Sequence, residues 1–116
     1  MSLTSLYTYV DQNRETFINR LIDYVRRPSI SAYGEGMGEV ADYLVKWLNE
    51  MKFDARLVPT KGWPMVLGKR IDQPNALTIL LYGHYDVQPP DPLDKWVSPP
   101  FDPTIRDGRL YARGVG

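Results

Sequence analysis

The chain has 116 residues, 43% of them hydrophobic, and fourteen basic side chains balance fourteen acidic ones. That apolar content suffices for one core, and a net charge of zero supplies no field to draw nucleic acid or an anionic membrane. With no cysteine there is neither a disulfide framework nor a thiolate metal site, so a bound metal must take nitrogen and oxygen ligands.

The spacing of Phe17, Ile18, Leu21, Ile22 and Val25 predicts an amphipathic helix over 11–26, with Asp11 as its cap and Pro28 as its stop. Arg26 and Arg27 suit the negative end of its dipole. A serine- and glycine-rich connection over 29–38 follows. The broad apolar face of Val40, Ala41, Leu44, Val45, Trp47, Leu48 and Met51 predicts a second helix over 38–52, with Trp47 as core. Neither helix carries a histidine or a carboxylate pair on its apolar side, so no chemistry is assigned to them.

Residues 53–59 alternate as a strand, and 65–69 make a second short strand after the turn Gly62-Trp63-Pro64. Residues 71–75 read as a loop. The strongest strand signal lies at 76–82, where six of seven residues are apolar or aromatic without alternation. A strand buried on both faces of a parallel or mixed sheet has this pattern. Six of the ten prolines fall from Pro89 to Pro103, which predicts a long, stiff, irregular loop. Asp107-Gly108 is a two-residue turn signal that predicts a hairpin between 104–106 and 109–111. This order of elements predicts an α/β sandwich. No segment is long and apolar enough to span a bilayer, and the N-terminus has no signal-peptide pattern. A cytoplasmic location is expected, in keeping with the absence of cysteine.

Directly after the apolar run comes Gly83-His84-Tyr85-Asp86, which holds the only histidine of the chain. Binding groups gather beyond the carboxyl ends of strands in open α/β sheets. Residues two apart on extended backbone face the same side, so His84 and Asp86 can point into one pocket. Gly83 would allow close approach of another backbone or unusual torsion angles. Imidazole is the commonest zinc ligand, and a neighbouring carboxylate can fix its orientation. One histidine does not complete a zinc site, which needs about four ligands. Asp91, Asp94 and Asp102 in the proline-rich loop read as solvated turn residues. On spacing alone, a structural role for His84 is favoured over a metal-binding one, and Asp86 reads equally as a turn cap.

Four ordered blocks then carry a resemblance: 83–90 (Gly-His-Tyr-Asp-Val-Gln-Pro-Pro), Trp96, 99–101 (Pro-Pro-Phe) and 107–114 (Asp-Gly-Arg-Leu-Tyr-Ala-Arg-Gly). Together they resemble the zinc-dependent family of carnosine dipeptidases, acetylornithine deacetylase and succinyl-diaminopimelate desuccinylase, an aminoacylase-related group. The wording of 87–92 is most similar to the carnosinase-like branch. The resemblance implies the N-terminal part of a mixed-sheet α/β/α catalytic domain of the zinc exopeptidase type. It implies that His84 is a ligand of one zinc in a two-zinc centre, and that Asp86 orients this histidine and supports catalysis. Trp96 and Phe101 are expected to pack the loop.

The implied chemistry is hydrolysis of peptide or amide bonds in short peptides, with N-acyl amino acid deacylation as the alternative within the family. The implied parent is a homodimer. The bridging aspartate, the adjacent glutamates and the second histidine of the family pattern lie beyond Arg113-Gly114-Val115-Gly116. The 116 residues are therefore expected to be an N-terminal portion of the catalytic domain, inactive alone and prone to self-association through unpaired strand edges. A short non-catalytic interaction domain is the alternative from another class.

Overall fold

The computed structural model describes residues 2–115. Its elements are α1 (Leu3–Gln12), α2 (Arg14–Val25), α3 (Met37–Glu50), β1 (Asp54–Val58), β2 (Met65–Lys69), a 3-10 turn at Leu93–Lys95, β3 (Thr104–Arg106) and β4 (Arg109–Tyr111). β1 pairs with β2 and β3 with β4, both antiparallel. The chain is α/β, as expected. It divides into two compact units: residues up to Arg27 together with those from Pro90 onward, and Pro28–Pro89. No helix among the described residues is long and apolar enough to cross a membrane.

In the first unit, the predicted helix over 11–26 is two helices. Ser2 caps α1 by accepting the Ser5 N–H at 3.2 Å, so Asp11 lies inside a helix and caps nothing. Asn13 separates α1 from α2. Its side-chain amide donates to the Tyr9 carbonyl at 2.8 Å, competing with the helical ladder at that carbonyl. α2 ends as expected before Pro28. Arg27 donates to the Asp23 carbonyl and pairs with the Asp23 carboxylate at 3.0 Å.

The C-terminal hairpin forms where the sequence predicts it. Asp107 and Gly108 both have positive φ, 50° and 71°, as a two-residue type I′ turn requires. Arg106 stacks on the Tyr111 ring at 4.2 Å and donates to Ser98 Oγ at 2.9 Å. The proline-rich loop is tied down by Trp96 Nε1 donating to the Pro90 carbonyl and by the Arg113 N–H donating to the Pro100 carbonyl, each at 2.7 Å.

In the second unit, α3 packs on the β1–β2 hairpin. Met37, Val40 and Ala41 on α3 and Ile30 before it are buried. The helix stops in a Schellman motif. Lys52 takes φ 67°, its N–H bonds the Asn49 carbonyl, and the Phe53 N–H bonds the Leu48 carbonyl, both at 3.0 Å. Asn49 then pairs its side chain with the backbone of Ala55 in both directions, at 3.1 and 3.2 Å. These bonds fix the step from helix to strand.

Two expectations about this unit are corrected. Residues 76–82 carry the strongest strand signal, yet they form no strand among the described residues, and Leu77, Ile79, Leu80, Leu81 and Tyr82 are at least 80% exposed. The physical reason is pairing. A strand persists through its ladder and its covered faces, and this segment makes no ladder with β1 or β2. Gly83 likewise has open space around it and no positive φ, so neither anticipated use of that glycine is realised.

Candidate functional site

The histidine and the aspartate singled out by the sequence do meet. His84 Nδ1 lies 2.9 Å from the Asp86 carbonyl oxygen and 3.1 Å from Asp86 Oδ1. Both partners are acceptors when the carboxylate is ionised, so Nδ1 carries the hydrogen and donates. In the neutral ring this leaves the Nε2 lone pair as the open coordinating position, and no hydrogen bond engages it among the described residues. The imidazole is 75% exposed.

Asp86 is held from its other side. Ser31 Oγ donates to Asp86 Oδ2 at 2.7 Å, so each carboxylate oxygen has its own partner. The Ser31 bond, followed by the hydrogen bond and charge of His84, holds this carboxyl below its ordinary range against an opposing desolvation. Tyr85 between them is shifted the other way. Partial burial raises its phenol, and the charge of Asp86 adds to the effect. The Tyr85 hydroxyl donates to the Pro64 carbonyl at 2.7 Å and anchors this stretch to the turn before β2.

The loop that delivers Ser31 is built for one shape. Ile30 and Glu35 exchange backbone bonds at 2.9 and 3.2 Å. Ile30 also forms a parallel bridge with Val87, whose N–H donates to the Ser29 carbonyl at 2.9 Å. Gly36 closes the loop with φ 69°, and a Cβ there would collide with the Pro28 carbonyl. Trp63 Nε1 donates to the Ser31 carbonyl at 3.3 Å. Reading the sequence misses Ser31, Tyr85 and Trp63 as parts of this site. Ser31 is 55 residues from Asp86, and a serine in a Ser/Gly-rich connection gives no local sign of such a partner.

Asp94 and Lys95 form an exposed pair at 3.7 Å, and Asp91 and Asp102 are exposed, in keeping with solvated turn positions. Trp96 packs under the guanidinium of Arg113, with 5.1 Å between them, as a residue that orders the loop.

Residues 80–116 match the model of "Peptidase family M20/M25/M40". The stretch begins three residues before Gly83 and holds both His84 and Asp86. Over this stretch the chain is similar to that family. It is 33% identical over 131 residues to the Cys-Gly metallodipeptidase dug1 of Schizosaccharomyces pombe, covering 99% of this chain and 27% of that protein. It is 42% identical over 86 residues to a succinyl-diaminopimelate desuccinylase of Polynucleobacter necessarius, covering 67% of this chain and 22% of that protein. Among solved structures, the di-peptidase Dug1p of Saccharomyces cerevisiae superposes with a TM-score of 0.85 at 28% identity, over 98% of this chain and 27% of that one. The chain thus spans about a quarter of the length of the curated relatives it matches.

M20 peptidases are metal-dependent, and the donor set tests whether a metal suits these residues. Among the described residues no three histidine, aspartate or glutamate side chains converge to hold an ion. A single ligand does fit. His84 presents Nε2 while a carboxylate fixes Nδ1–H, the arrangement that metal-bound histidines adopt almost universally.

Proposed function

We propose that this chain is the N-terminal portion of the catalytic domain of a zinc-dependent hydrolase that cleaves peptide or amide bonds in short peptides, dipeptidase-like in its substrates. The observation that carries the proposal is the hydrogen-bonded series Ser31–Asp86–His84. It leaves one imidazole nitrogen open, and two of its three members lie within the matched stretch. His84 is the proposed ligand of one of two zinc ions, through Nε2. Asp86 is the proposed orienting carboxylate. It keeps the proton on Nδ1 and restricts the rotation of the ring. Zinc, when bound, supplies Lewis acidity toward the scissile carbonyl and a water acidic enough to lose its proton near neutral pH. The remaining ligands, the glutamate base and the dimerising domain are proposed to belong to polypeptide outside these 116 residues.

Three further proposals follow from this reading. The 116-residue chain alone is inactive, because it offers one ligand where catalytic zinc sites use about three from protein. It self-associates, because residues 76–82 expose an apolar run whose backbone has no ladder partner. Light scattering that showed a concentration-independent monomer of this chain would contradict that. The complete protein is proposed as a cytoplasmic homodimer without nucleic-acid or membrane partners, on the strength of the family resemblance. Cell fractionation and sedimentation test these points.

A second reading, an N-acyl amino acid deacylase, is favoured by the 42% identity to a desuccinylase across two thirds of the chain. The deciding experiment assays the zinc-loaded complete gene product on Cys-Gly and other dipeptides, and on N-acetyl and N-succinyl amino acids. Zinc-dependent dipeptide turnover that His84→Ala abolishes supports the first reading. Turnover of acyl amino acids alone selects the second. No hydrolysis of either class rejects both and leaves a non-catalytic α/β domain.

A further inference from the structure

The loop before α3 holds more fixed contacts than a connection between helices requires. Ser31 sits in it with its hydroxyl on Asp86 Oδ2 at 2.7 Å, while its own carbonyl takes the indole N–H of Trp63 at 3.3 Å. Directly before it, Ser29 and Ile30 are locked to Val87 and Glu35 by backbone bonds. The hydroxyl is therefore presented from a rigid support. His84 has no such support, since its ring is 75% exposed and its hydrogen bonds all go to Asp86.

We propose that Ser31 is a positioning residue for His84, acting through Asp86. This rests on the reading of His84 as a zinc ligand. A carboxylate turns readily about its last torsion, which is broad and two-fold, so the 3.1 Å bond from Nδ1 to Oδ1 cannot fix its plane alone. The Ser31 bond to the second oxygen removes that freedom. The carboxylate plane then sets the direction of the Nδ1–H bond, and with it the direction of the Nε2 lone pair.

The test uses the complete gene product with Ser31→Ala, Ser31→Thr, Asp86→Asn, the Ser31→Ala/Asp86→Asn pair and His84→Ala. Zinc affinity is measured by chelator competition, and the His84 ring nitrogens are followed by 15N NMR without metal. Ser31→Ala should weaken zinc binding about 10-fold, the lower end for changes behind a metal ligand, and shift the Nδ1 resonance. Ser31→Thr keeps the hydroxyl and should retain both properties. In the Asp86→Asn background, Ser31→Ala should add nothing. Wild-type zinc affinity and ring shifts in Ser31→Ala overturn the proposal, as does an undiminished Ser31→Ala effect in the Asp86→Asn background. Should the alanine variant not fold, a folded threonine variant with weakened zinc and shifted ring nitrogens overturns it, and wild-type behaviour supports it. Full zinc affinity in His84→Ala instead rejects the zinc-ligand reading, and Ser31's role with it. Zinc lost in His84→Ala but not in Ser31→Ala rejects the role of Ser31 alone.

Discussion

The β1–β2 hairpin and the segment 76–82 are opposite cases. β1 contains Asp54 and Arg56, β2 contains a glycine and a lysine, and neither reads as strongly apolar, yet they pair in full register from Asp54↔Lys69 to Val58↔Met65. Residues 76–82 are far more apolar and pair with nothing among the described residues. The difference is supply of partners. The hairpin is closed by a local turn and covered by α3, and its Gly68 leaves room for Leu48 and Phe53 to approach. A strand meant for the middle of a sheet depends on edges and faces provided from elsewhere.

The comparison can be broken most directly at Leu80. In the complete gene product, Leu80→Lys should cost about 3–5 kcal/mol, the loss expected when an unpaired charge is forced into a covered strand. The exposed Arg56→Ala on β1 should stay within about 0.5 kcal/mol. Denaturant unfolding of both variants measures the contrast, and equal small effects would mean that 76–82 stays uncovered. Gly36→Ala comes next, at about 2 kcal/mol or more, because the new Cβ meets the Pro28 carbonyl in a left-handed conformation. The same unfolding assay reads it, with a matching loss of the Ser31–Asp86 bond by NMR. Asn49→Ala removes both side-chain bonds to Ala55 and should cost about 1–2 kcal/mol, sharpening the claim that local ties hold the hairpin.

Acid should act on the carboxylate that holds His84. The folded carboxyl of Asp86 ionises below its ordinary range, so its contribution to stability is present above the unfolded value and is lost as pH falls through the folded one. The melting-temperature difference between wild type and Asp86→Asn should therefore be constant near neutrality and shrink below about pH 4. A difference unchanged down to strong acid would remove this linkage. The last effect is a gain. Lys52→Gly relieves a non-glycine residue at φ 67° and should stabilise the chain by about 1 kcal/mol in thermal melts.

What could be read from the sequence was what is decided locally. β2, the Asp107-Gly108 hairpin and most of α3 follow from turn chemistry and periodicity over a few residues, and the structure has them within a residue or two of the predicted bounds. α1 was legible in principle, since Ser2 precedes Leu3, Leu6, Tyr7 and Val10 at helical spacing. Treating Asp11 as a cap concealed it, and the break belongs to Asn13. His84 and Asp86 meet because two-residue spacing brings them together. Ser31 was not legible, because the loop that carries it is shaped by Ile30, Glu35, Gly36 and Val87, which are partners only in the folded chain.

The most direct measurement is an anomalous diffraction map, at the zinc absorption edge, of the zinc-loaded complete gene product. The account predicts a peak bonded to His84 Nε2, with Nδ1 still donating to Asp86 and Ser31 still on the opposite carboxylate oxygen. Zinc bound elsewhere in the protein, with the His84 ring carrying no metal, would contradict it.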